Sequence, residues 1–133
     1  MEEYGNWLRP QLRPGCWVAY EAPIVHPHNT MHGIMITAGL AVETERLCRE
    51  VSKDINYTSY SVATIKKTFA GHGFAPKSSM MEIARRLGAD VSANHEADAL
   101  GVWYCLLGLY DRMRKTSHLT EQLSPLFMNR TTP

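Results

Sequence analysis

Most of the motifs that announce a chemistry are missing from this sequence. It has no G-x-S-x-G nucleophile elbow, no phosphate-cradling P-loop and no dinucleotide glycine fingerprint. The motif-bearing serine hydrolases, nucleoside triphosphatases and nicotinamide enzymes are therefore excluded. Cysteine is scarce. Cys16, Cys48 and Cys105 are odd in number, widely spaced and set among apolar neighbours, which is no disulfide framework. Reduced, mostly buried thiols in a cytoplasmic protein are expected. No apolar run reaches the ~18 residues that a membrane span needs. The longest, Ala99 to Tyr110, is followed by Asp111, Arg112 and Arg114. The start, Met1 to Trp7, is acidic and polar, unlike a secretory leader. Net charge is nearly absent: 14 Lys and Arg against 13 Asp and Glu leave +1. Such a chain has no global pull on nucleic acid, so any such binding requires a local patch.

What remains is one domain's worth of material. The 133 residues are 44% hydrophobic and 20% charged, which excludes a disordered chain and suffices for one ordinary core. Pro14-Gly15 is a turn, preceded by at most a short helix around Glu2 to Leu8. Cys16 to Glu21 reads as a buried strand that ends in a carboxylate before Ala22-Pro23. His26 to Thr30 is loop, and Asn29 or Thr30 caps a helix from Met31 to about Val51. Tyr57 to Ser61 is a second strand, and Ser61 caps Val62 to Phe69. A helix opening at Ala75-Pro76-Lys77-Ser78 stops before Gly88, and a last helix runs from about His95 to Arg114. Residues 1–115 are read as a single domain and residues 116–133 as a polar, weakly patterned, partly mobile tail. Strand, long helix, strand describes a parallel βαβ unit. Two parallel strands are a poor sheet alone, so further residues or a second protomer are expected to complete it.

Four features carry candidate chemistry. Glu21, closing a buried strand, stands where open α/β sheets place ligands, although strand ends also carry plain solvent-facing acids. His95 and Asp98 lie three apart on one face of the last helix, with Glu96 turned away. They suit a metal-binding pair, or simply the acids that partner a helix dipole. Lys66, Lys67 and Lys77 belong to a stretch, Val62 to Asp90, with five basic residues against two acidic ones. It is a phosphate-contacting patch or a solvated helix face. His26, His28 and His32 suggest zinc by number, but no Asp or Cys nearby completes a tetrahedral set, and a loop beside a site is the preferred reading. Trp7, Trp17 and Trp103 are expected in the core.

In combination, "WVAYEAP", "SVATIKKTFAGHGFAPKSSM" and "NHEADALGVWYCLL" resemble the RuvC family of Holliday junction resolvases, most closely its phage and prophage members, over roughly residues 16 to 112. The resemblance implies a ribonuclease H-like α/β fold that cuts branched DNA with Mg²⁺ or Mn²⁺, and the open strand edge leads to the expectation of a homodimer. It gives Glu21 the role of the acid ending the family's fourth strand, and Asp98 that of the final aspartate. His95 falls where most relatives carry Asp, and Glu96 is a further candidate ligand. Lys66 and Lys77 take the places of lysines near the scissile phosphate, with Lys67 beside them. Ile24 and Val25 lie in the loop where relatives put DNA-stacking aromatics. The family's opening strand, which supplies the first catalytic aspartate, has no counterpart in Met1 to Gly15. The expectation is thus a truncated fold and a metal-dependent endonuclease that is incomplete and weakly active or inactive as it stands. The alternative is a non-catalytic DNA-binding or assembly protein derived from that fold.

Overall fold

The structure is a computed structural model that describes the backbone of residues 1–128 and the side chains of residues 1–116. A short helix α1 (Glu2–Leu8) runs into a 3₁₀ turn at Arg9–Gln11. Strand β1 (Trp17–Glu21), helix α2 (Met31–Val51) and strand β2 (Asn56–Tyr60) form the βαβ unit. Helices α3 (Val62–Ala70), α4 (Lys77–Arg86) and α5 (Asn94–Met128) follow. The strands pair in parallel, from Trp17 opposite Asn56 to Glu21 opposite Tyr60.

The element ends follow from local chemistry. The Thr30 hydroxyl accepts from the Gly33 N–H at 3.1 Å and starts α2. The Ser61 hydroxyl accepts from the Thr64 N–H at 3.2 Å and starts α3. Gly71, at φ 90°, ends α3 in the left-handed conformation that glycine adopts without a Cβ penalty.

The thin sheet separates two apolar clusters. On one side α1 and α2 bury Leu8, Leu12, Leu47, Cys48 and Ile55, with Val18 and Tyr57 packed against them. On the other, α3, α4 and α5 bury Ile65, Phe69, Met80, Ala84, Ala97, Val102 and Cys105, with Ala19 and Tyr60 packed on top. Strand alternation decides which residue meets which cluster. Val18 and Tyr20 face α2, where the Tyr20 hydroxyl donates to Glu45 at 2.5 Å. Ala19, and with it Glu21, faces α5. Gly101 lets α5 approach closely, since a Cβ there would stand 2.8 Å from the Ile65 Cγ2.

Two expectations change. Helix α5 does not stop near Arg114; its backbone is helical to Met128, through most of the segment read as a polar tail, and residues 129–133 lie outside the described ones. Trp7 and Trp103 are not core residues, with 62% and 54% of their surface exposed. The expected thiols are present: Cys48 and Cys105 are buried and Cys16 is half-buried, all free.

Among the described residues the sheet has two strands only, so β1 is paired along one edge. The Cys16 carbonyl accepts from Asn56 and the Ala22 N–H donates to Tyr60, at 3.1 and 2.8 Å. The even-numbered peptide groups of β1 therefore face β2. Those of Trp17, Ala19 and Glu21 point to the other, unpaired edge.

Candidate functional site

The unpaired edge of β1 opens into a cleft of about 670 Å³. Leu8 and Leu12 wall one side, Val102, Trp103 and Leu106 of α5 the other, and β1 forms the floor. Glu21, His95 and Asp98 are its acidic and imidazole lining residues, with Glu21 and Asp98 within electrostatic reach of each other. A second cleft of about 660 Å³ on the α2 side shares Tyr20 and Glu21 with the first and includes Ile24 and His28.

The sequence gathers the acids at one place for two reasons. The period of two along β1 points Glu21 toward α5. The helical period puts His95 and Asp98 one turn apart on the face of α5 that meets the strand. The result is electrostatically costly. Burial lifts the Glu21 carboxyl above the usual carboxylate range, the Asp98 charge lifts it further, and Lys66 pulls it partly back. Lys66, half-buried on α3, is therefore within electrostatic reach of Glu21.

The other expected site residues go elsewhere. Glu96 is not a member of the acidic cluster. Its carboxylate accepts from the backbone N–H groups of Ser92 and Ala93 at 2.6 and 3.1 Å, and from the Ser92 hydroxyl. These bonds hold it below the usual carboxylate range. Three residues into α5, it reaches back to satisfy the helix's own unpaired donors, as in a capping box. Lys67 and Lys77 are exposed on α3 and at the first residue of α4. Ile24 and Val25 are 42% and 79% exposed in the loop after β1. The His26 and His28 rings lie 5.0 Å apart between centres, tilted by 34°, with the His28 backbone N–H donating to His26 Nδ1 at 3.3 Å. His32 is exposed on the first turn of α2.

The resemblance implies one cation shared by Glu21, His95, Asp98 and Glu96, for which Glu21 and Asp98 offer two neighbouring carboxylates. Among the described residues no three His, Cys, Asp or Glu side chains converge closely enough to hold a metal ion. Two carboxylates are suitable hard donors for Mg²⁺ or Mn²⁺, but two do not make a self-sufficient centre. The present set therefore does not fit a complete metal site.

Sequence reasoning missed three features here. The apolar walls of the cleft depend on how α1 and α5 converge on β1. The Tyr20–Glu45 bond, which together with burial pushes the Tyr20 phenol up to about 12, joins residues 25 positions apart. The third is Phe74, 96% exposed between α3 and α4; its place next to glycines in a lysine-bearing stretch was the available signal.

No family model matches the chain, and no curated protein matches it. Among the described residues no helix is long and apolar enough to cross a membrane. A search of solved structures finds similarity to a structure of RuvC from Thermus thermophilus, with a TM-score of 0.53 and 21% sequence identity. The match covers 84% of this chain and 65% of that one, so this chain spans less than two thirds of the length of the structure it matches. With its parallel βαβ unit, its trailing helices and this match, the chain has a RuvC-like α/β fold.

Proposed function

We propose that this chain engages branched DNA in the manner of a Holliday junction resolvase and carries part, not all, of a divalent-metal nuclease centre. One observation carries the reading. Glu21 and Asp98 line the same cleft and raise each other's electrostatic cost, and Lys66 of the basic stretch is near enough to Glu21 to pull its carboxyl partly back. A phosphodiester held by Lys66, Lys67 and Lys77 would lie against those acids, the juxtaposition that phosphoryl hydrolysis requires. His95, in the same cleft, is the candidate for orienting an attacking water. The Mg²⁺ or Mn²⁺ that such chemistry uses needs more ligands than these residues offer, so the chain by itself holds the metal weakly and cuts DNA weakly or not at all. The RuvC-like fold supports the DNA reading, and the unpaired edge of β1 supports completion by further polypeptide, such as a second protomer.

The test is binding to four-way and flap DNA over a range of salt. Each lysine–phosphate contact contributes about −0.7 to −0.9 to the slope of log affinity against log salt. Three contacts predict a slope between about −2 and −3, reduced by about one on replacing Lys66, Lys67 or Lys77 with Ala. A flat salt dependence refutes DNA binding. Vigorous Mn²⁺-dependent cleavage abolished by Glu21→Gln refutes the incompleteness of the centre.

A further inference from the structure

The most exposed large apolar side chain among the described residues, Phe74 at 96%, sits in an acid-free basic segment of a nearly neutral protein. Residues 62–81 carry Lys66, Lys67 and Lys77 and no acid. The exposure is built in rather than incidental. On one side of Phe74, Gly73 lies against α3, where a Cβ would stand 3.4 Å from the Ala63 carbonyl oxygen and 3.6 Å from its Cβ. On the other side Ala75 is completely buried in the α3–α4–α5 cluster. The loop is closed by the Gly71 N–H donating to the Lys67 carbonyl at 3.0 Å and the Ala75 N–H donating to the His72 carbonyl at 3.3 Å. Pinned on both sides, the loop turns the ring of Phe74 outward. Nearby Phe69 shows the opposite fate: it is buried and meets Tyr104 edge to face at 5.7 Å.

An aromatic ring held in water in a lysine-bearing segment suits a particular occupant. The lysines attract a phosphate backbone, and the open ring face offers a stacking surface to any base whose own neighbour has been removed. An intact duplex keeps its bases stacked and cannot use the ring. A branch point, a gap or a single strand can.

We infer that Phe74 is a base-stacking residue that selects DNA with an unstacked base, with Lys67 and Lys77 flanking it as phosphate contacts. This rests on the DNA-binding reading above and adds the element that tells interrupted DNA from plain duplex.

The experiment compares the full chain with Phe74→Ala, Phe74→Trp and Lys77→Ala. Probes are a four-way junction, a gapped duplex and a matched duplex, the first two carrying 2-aminopurine at the branch or gap. Phe74→Ala is expected to weaken binding to the junction and the gapped duplex by about tenfold. Its duplex affinity and salt slope should stay unchanged, and the 2-aminopurine quenching seen with the native chain should disappear. Phe74→Trp should restore both affinity and quenching. Lys77→Ala should weaken all three probes alike and lower the salt slope. The ring makes no core contact, so circular dichroism of Phe74→Ala should match the native chain. If Phe74→Ala binds junction and gapped DNA as the native chain does while Lys77→Ala is weakened, the DNA reading stands and the stacking role falls. If the native chain binds none of the probes with a salt-dependent affinity, both fall.

Discussion

The pairing of Glu21 with Asp98 can be tested without any activity. Both are ionised at neutral pH in the unfolded chain, where they are far apart. Folding brings them to one cleft, with Glu21 partly desolvated and Lys66 partly opposing the repulsion. Removing one charge should therefore stabilise the protein, the reverse of what a carboxylate with a favourable partner shows. Glu21 retains substantial exposure and Asp98 is half-buried, so solvent screens the interaction. The coupling belongs in the range of about 0.2–1 kcal/mol found for accessible charge pairs. Glu21→Gln should raise the melting temperature by about 2–6 °C at pH 7 for each kcal/mol gained. Asp98→Asn should do the same, and the double variant should gain less than the sum. Lys66→Met should enlarge the gain from Glu21→Gln.

The pH dependence carries a definite sign. Glu21 has its ordinary value of 4.5 in the unfolded chain and a higher one when folded. Between the two the folded state holds the proton that the unfolded chain has released. Its contribution makes stability fall as pH rises through that window, then level off. Glu21→Gln should lack this component. Urea unfolding across pH 4 to 8 for the four members of the cycle supplies the measurement. A destabilised Glu21→Gln, strict additivity of the two substitutions, or an unchanged pH profile would show that the acids do not share a pocket. Mn²⁺ should raise the native melting temperature little, in keeping with an incomplete ligand set.

Two further outcomes follow from the packing. Gly101→Val should cost about 1–3 kcal/mol in urea unfolding, because its side chain must displace Ile65 in a closed core. Gly108→Ala, whose Cβ meets only the Arg112 Nη1 at 3.6 Å, should be neutral or stabilise by up to about 1 kcal/mol. Ultraviolet titration should find one tyrosine ionising near pH 12, lost in Tyr20→Phe. Because the folded phenol keeps its proton longer than the unfolded one, stability should decline from pH 10 toward 12 in the native chain.

Local chemistry explains what was legible beforehand. An apolar run closed by Ala22-Pro23 marks a strand, Thr30 and Ser61 mark helix starts, and Gly71 and Gly88 mark helix ends, because each acts through its own neighbours. Those signals determined the βαβ order, and with it the parallel pairing and the placing of Glu21 and Asp98 at element ends. The stop near Arg114 was misjudged because apolar patterning fades there, whereas helix propagation needs no such pattern once a helix is nucleated.

Tertiary structure decided the rest. Glu96 shares a motif with His95 and Asp98, but its carboxylate accepts from the backbone N–H groups of Ser92 and Ala93, which the motif does not reveal. Trp103 and Phe74 are apolar and could be assigned to a core from composition alone; only the path of α5 and the anchoring of Gly73 and Ala75 leave them in water. Periodicity tells which face of an element a residue occupies. What stands opposite that face depends on how distant elements pack, and that is where the acid pair, the cleft and the outward ring were settled.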